Sequence, residues 1–137
     1  MTHWYVKELS DLTKVSPQTL HHYDRIGLLK PSVRLNNGYR MYSEEDFLRL
    51  KKIIALKYFK FKLSQIKNLL ENDTNILDHL LVQAQILEKK AKVLAEASEW
   101  LEKIISEWKH DRSVFWTSMI EASENFGKKS QTLFDDK

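Results

Sequence analysis

Val15-Ser16-Pro17-Gln18-Thr19-Leu20-His21-His22-Tyr23-Asp24-Arg25-Ile26-Gly27-Leu28-Leu29 is the stretch on which the reading of this 137-residue chain turns. Ser16 is a favoured helix cap and Pro17 a favoured first helical residue, so a helix starts there. Leu20, Tyr23 and Ile26 supply its inward stripe, and Gly27 stops it by adopting the left-handed conformation open to glycine. Upstream, Val6, Leu9 and Leu12 place a short amphipathic helix over Val6 to Thr13. Two short helices joined by a tight turn form a helix-turn-helix.

Downstream, Pro31, Asn36, Asn37 and Gly38 forbid a helix from Leu28 to Tyr42. Asn37-Gly38 is a strong hairpin signal. Arg34 and Leu35 fall on one arm and Tyr39, Arg40, Met41 and Tyr42 on the other, which predicts a small two-stranded wing. Ser43 followed by Glu44, Glu45 and Asp46 marks the next helix start, with acids in the turn where the dipole favours them. That helix runs through Phe47, Leu50, Ile54 and Leu56 to about Phe59. Leu63, Ile66, Leu69 and Leu70 mark a fourth helix ending near Asn72, and the polar run Asp73 to Asn75 sets a boundary.

Beyond the boundary, Leu80, Leu87, Leu94, Leu101 and Trp108 recur every seven residues. Leu77, Ala84, Ala91, Ser98 and Ile105 do the same three places earlier. This a/d heptad pattern predicts a coiled-coil helix of about 45–50 Å. A lone helix with that seam exposed is poorly stable, so a second copy is implied. Small residues at a with Leu at d favour close approach, and an antiparallel homodimer is the preferred arrangement. A second apolar set, Ile86, Val93, Trp100 and Ile104, calls for cover from the tail or from the partner's first domain. Phe115, Met119, Ala122 and Phe126 give one more short helix, closed by Gly127, before ten polar and mobile residues. The expected fold is mostly α: a winged helix-turn-helix domain over 1–73, a dimerisation helix over 74–109, and a short helix and tail over 110–137.

Charge is divided unevenly. Through Asn72 there are 13 Lys and Arg against 7 Asp and Glu; from Asp73 onward there are 9 against 12. A basic first half suits a polyanion partner, although a solvated helix face would carry the same charges. No apolar run approaches the roughly 20 residues that cross a bilayer, so no membrane role is expected. The first residues lack the form of a secretory signal. Cys is absent, which removes disulfides and thiolate sites and fits a reducing, cytoplasmic setting. His3, His21, His22, His79 and His110 show no metal-ligand spacing. No metal, cofactor or enzymatic activity is expected, for want of a nucleophile–base pair, a metal cluster or a phosphate-binding Gly-rich loop.

The quoted stretch, continued through Pro31, Arg34, Asn37-Gly38-Tyr39-Arg40, Tyr42-Ser43 and Asp46, resembles the signature of MerR-type transcription regulators. The likeness covers roughly residues 4 to 72, and Thr19-Leu20-His21-His22-Tyr23-Asp24 is similar to the TipA-like branch. The resemblance implies an antiparallel dimer on a promoter with an overlong spacer, distorting the duplex so that RNA polymerase engages both elements, under control of a small-molecule effector or metal. Two departures stand out. His21 and His22 occupy places where many relatives have Arg and Tyr, and loss of the Arg removes a permanently charged phosphate partner. Lys60-Phe61-Lys62-Leu63 stands where many have Gly-Phe-Ser-Leu. Lys60 then takes a place suited to positive φ, which either strains the turn or presents added charge to phosphate; the second reading is preferred.

An α-helix fits the major groove of double-stranded DNA. Gln18, Thr19, His22 and Arg25, with the cap Ser16, face outward to bases or phosphates. Tyr23 either packs beneath the helix or reaches phosphate. Arg34 and Arg40 suit phosphate or minor-groove contact, and Tyr39 and Tyr42 either join them or pack the wing onto the core. With Lys14, His21 and Lys60, these complete the candidate DNA contacts; Lys30 and Lys62 are peripheral. Trp100, Trp108, Phe115, Trp116 and Phe126 form an aromatic group. It is read first as a hydrophobic cap and second as an effector pocket centred on Trp100, Phe115 and Trp116, because residues 110–137 are too few to enclose a ligand unaided. Two rival classes stand beside the promoter regulator: an architectural or excisionase-like DNA-bending protein, and a coiled-coil adaptor.

Overall fold

A computed structural model of the chain describes residues 2–72 and 75–130. In chain order the elements are β1 (Trp4–Tyr5), α1 (Val6–Thr13), α2 (Pro17–Arg25), β2 (Val33–Arg34), β3 (Arg40–Tyr42), α3 (Glu44–Tyr58), α4 (Leu63–Glu71), α5 (Ile76–Glu107) and α6 (Arg112–Ser130). They divide into two compact units, with the second beginning at Leu77. The break expected at Asp73 to Asn75 falls partly on residues 73 and 74, outside the described residues.

Each helix of the first unit starts where local chemistry puts it. The backbone N–H of Tyr5 donates to the Glu8 carboxylate at the head of α1. Ser16 accepts from the Thr19 N–H at 3.1 Å at the head of α2. Ser43 and Asp46 exchange reciprocal bonds at the head of α3, satisfying N–H groups that no helical carbonyl reaches. Gly27 takes φ +74° and directs Leu28 and Leu29 inward, where both N–H groups donate to the Tyr23 carbonyl. Ile26 does not join the inward stripe; it is the cap residue after α2 and is exposed. Leu12, on the last turn of α1, is exposed as well, and in α3 it is Ile53, not Ile54, that is buried beside Leu50.

The wing has three strands in the order β1-β3-β2, all antiparallel. Arg34 pairs with Arg40, as the Asn37-Gly38 turn requires, and Trp4 pairs with Tyr42. Sequence reading missed β1 because two residues show no alternation. Trp4 is held by its ring against Phe47 of α3, centroids 4.9 Å apart. One core unites Leu9, Leu20, Leu28, Leu50, Ile66 and their neighbours beneath the helix-turn-helix and the wing. Burial of this apolar surface is the main favourable contribution to the unit's stability.

In the second unit α5 extends 32 residues, about 48 Å at 1.5 Å per residue. It ends at Glu107, so Trp108, the last heptad position expected in the coiled coil, lies in the turn beyond it. The turn forms because Asp111 caps α6, accepting from the backbone N–H and the hydroxyl of Ser113. Those bonds hold the Asp111 carboxyl below its ordinary range. α6 continues through Gly127 to Ser130, longer than expected, since nothing at Gly127 forces positive φ. It returns toward α5, with the Ser118 hydroxyl donating to Glu107. Ile104, of the second apolar set, is 1% exposed, and Ala122 of α6 is buried. Trp100 of that set stays exposed. Burial in the second set is therefore uneven, while the heptad residues Leu77, Leu80, Leu94, Leu101 and Ile105 remain open to solvent.

Candidate nucleic-acid interface

Helix α2 presents Gln18, His22 and Arg25 to solvent, with Thr19 and His21 half-covered. The Ser16 hydroxyl donates to that of Thr19 at 2.8 Å, so the capping pair is ordered before any ligand arrives. Lys14 is exposed at the corner before α2, with φ +63°. Beside it a cleft of about 460 Å³ is bounded by Val15, Thr19, Tyr23, Ile54 and Lys57. The His22 ring lies 6.3 Å from that of Tyr23.

Both tyrosines left open between packing and DNA contact are buried. Tyr23 is part of the core, and its hydroxyl accepts from Lys57 Nζ at 3.3 Å. Tyr42 is fully buried in the core, and its hydroxyl has no hydrogen-bond partner. Burial pushes the Tyr42 phenol up, and the negative charge of Asp24 adds to that. Tyr42 is enclosed in the core, the packing alternative for that residue, whereas Tyr23 packs in the core and also lines the cleft beside Lys14, Ser16 and Lys57. Tyr39, by contrast, is exposed on the wing, its ring edge-on to Tyr5 at 6.1 Å. These two rings, with Lys7, His21 and Arg40, border a second cleft of about 480 Å³.

Arg34 and Arg40 converge on one group that sequence reading left without a role. Asp24 is 7% exposed. It accepts from Arg34 Nη2 at 2.6 and 2.7 Å and from Arg40 Nε at 2.8 Å. Burial alone would raise its carboxyl, but the two guanidinium partners outweigh it and hold the group below the ordinary carboxylate range. A signal for this did exist. Asp24 sits near the C-terminal end of α2, where the helix dipole disfavours an acid, so it needs cations from elsewhere in the fold.

At the second corner Lys60 is exposed with φ +70°, and the Lys62 N–H donates to Gln65 at 2.9 Å, replacing a conventional cap. The left-handed backbone expected at Lys60 is therefore present. In the second unit the rings of Trp108 and Phe115 lie 4.8 Å apart and those of Phe115 and Trp116 5.3 Å apart. Trp100 has Lys103 Nζ over its face, 5.4 Å from the ring centroid. Arg112 lies 4.5 Å over Trp108, so that ring already carries a cation. Among the described residues no three His, Asp or Glu side chains gather as metal ligands, and no helix is long and apolar enough to cross a membrane.

Residues 5–73 match the family described as MerR HTH family regulatory protein. The chain belongs to the MerR family. It is 36% identical over 103 residues to the HTH-type transcriptional activator mta of Bacillus subtilis, covering 74% of this chain and 40% of that protein. The crystal structure of the N-terminal part of that activator, MtaN, superposes with a TM-score of 0.68 at 36% identity, covering 74% of this chain and 97% of the other. The EcmrR–DNA complex in EcmrR-RPo, studied by cryo-EM, matches at 28% identity with a TM-score of 0.59, covering 78% of this chain and 40% of the other. The chain spans less than half the length of the curated MerR-type relatives it matches, Mta and SkgA among them.

Proposed function

We propose that this chain is a transcriptional regulator that binds an inverted-repeat promoter site as a homodimer and distorts the DNA to control transcription. The observation that carries it is the joining of α2 to the wing through Asp24. That contact sets the exposed Gln18, His22 and Arg25 and the two wing arginines in one rigid unit. Such a unit offers a helix to the major groove and cations to the flanking backbone. The likeness to the DNA-bound EcmrR and to the activator Mta supports the same reading.

The heptad face of α5 is the dimer seam in this proposal, formed by Leu77, Leu80, Ala84, Leu87, Ala91, Leu94, Leu101 and Ile105 with an antiparallel partner. Leu77, Leu80, Leu94, Leu101 and Ile105 of that face are exposed in the single chain, which supports a second copy as their cover. RNA polymerase is the further partner and the cytoplasm the setting. The aromatic group of Trp100, Phe115 and Trp116 is the place for a small-molecule effector.

The test is selection of a binding site from a random-sequence duplex pool, followed by gel shift against excess random competitor. Recovery of one inverted repeat that survives the competitor is the expected result. Bending without a sequence ratio would favour the architectural alternative. Absence of any salt-sensitive binding would end the DNA reading.

A further inference from the structure

A buried carboxylate on the helix that faces DNA is at first sight the wrong charge in the wrong place. It repels phosphate and opposes the dipole of its own helix end. Asp24 is nevertheless the point where two wing strands are fastened, Arg34 coming from β2 and Arg40 from β3. The donors used are informative. A guanidinium carries five N–H groups in a rigid fork. Arg34 spends only Nη2 on Asp24, and Arg40 spends only Nε. Nε and Nη1 of Arg34 and both Nη groups of Arg40 remain clear of the carboxylate. The Arg34 side chain is 51% exposed and that of Arg40 29%, against 6% for Asp24. The acid is shielded, while half of the Arg34 side chain and a smaller part of the Arg40 side chain stay open to solvent.

We propose that Asp24 is the positioning residue of the DNA interface: it fixes the wing to α2 and holds Arg34 and Arg40 with their outer N–H groups presented to backbone phosphates. This rests on the DNA-binding reading above and adds a role to a residue that touches no DNA itself.

The sign of the effect separates positioning from simple charge. If Asp24 acted only as a negative charge, Asp24→Asn would tighten binding to every duplex. If it positions the two arginines on phosphates, the same substitution weakens binding to the selected inverted repeat at least tenfold and weakens binding to random duplex as well, since both offer the same backbone. Asp24→Glu, which keeps the acid, recovers part of the loss. Binding by the full chain is measured by fluorescence anisotropy on both duplexes, with circular dichroism at the assay temperature to confirm folding. A folded Asp24→Asn chain that holds the selected repeat as tightly as wild type, or more tightly, overturns the proposal. Should that variant fail to fold, the double substitution Arg34→Lys with Arg40→Lys decides, because it keeps both charges and removes only the forks. Unchanged affinity there overturns the proposal, and a tenfold loss upholds it. Failure of the DNA reading is seen separately, as a wild-type chain that selects no duplex at all.

Discussion

Lys14 and Lys60 occupy equivalent places in two successive helix corners, with φ of +63° and +70°. Each is followed by a residue whose apolar side chain packs in or against the core, Val15 in one case and Phe61 in the other. An extended cap then follows, Ser16 or Lys62, and a new helix begins. Left-handed backbone costs a non-glycine residue about 1–2 kcal/mol. Both corners therefore carry a lysine at a position where glycine would be more comfortable, which is the pattern expected if the charge has a use.

Replacing Lys60 with Gly should move stability and binding in opposite directions. Relief of the backbone raises stability by about 1 kcal/mol, read as a higher urea midpoint. Loss of the cation lowers affinity for duplex DNA and reduces the salt dependence by about one phosphate contact. A variant equally affine and no more stable would show that Lys60 is neither strained nor near phosphate.

Tyr42→Phe removes a buried hydroxyl that has no partner. The change should leave stability unchanged or raise it by up to about 1 kcal/mol, with DNA affinity unaltered. In the wild type, ultraviolet titration should show one tyrosine ionising above the ordinary value of 10.0. Because folding favours the neutral phenol, that contribution is present below pH 10 and declines as pH climbs through the raised folded value. A clear loss of DNA affinity in Tyr42→Phe would return this residue to the interface.

Asp24 makes the first unit sensitive to acid. Its folded pKa lies below the unfolded 3.8, so its stabilisation is complete above that value and fades as pH falls through the lower folded one. Urea midpoints from pH 6 down to pH 2 should show wild type well above Asp24→Asn at the upper end and the two converging at the lower. A constant gap would mean that the carboxylate charge is not what the arginines recognise.

Leu94→Glu places a charge at the centre of the open heptad face. Leu94 is 53% exposed in the single chain, so the hairpin of α5 and α6 should keep its helical signal. Sedimentation should change from dimer to monomer, since a buried unpaired charge in a coiled-coil seam is costly. A variant that sediments like wild type would place the self-contact elsewhere.

Much of this was legible in the residues, and the rest failed for identifiable reasons. Ser16-Pro17, Gly27, Asn37-Gly38 and Ser43 each encode a local conformation, and the elements began or ended beside them. Gly127 carried no such demand within a continuing helix, so reading it as a stop shortened α6. β1 was invisible because its reason is the Trp4–Phe47 contact, which spans most of the first unit in sequence. The outward residues of α2 followed from helical spacing. Asp24 did not, because its meaning depends on two arginines 10 and 16 residues away. Tyr23 and Tyr42 show the same limit: an amphipathic ring suits core and surface equally, and only packing decides.

The pairing of Trp4 and Tyr5 with the middle strand of the wing has a practical outcome. The opening residues are stitched to the same ribbon that carries Arg40, and α1 starts at the very next position. A bulky affinity handle attached immediately ahead of Thr2 would tug on that ribbon, whereas a handle set off by a flexible spacer would leave it at rest.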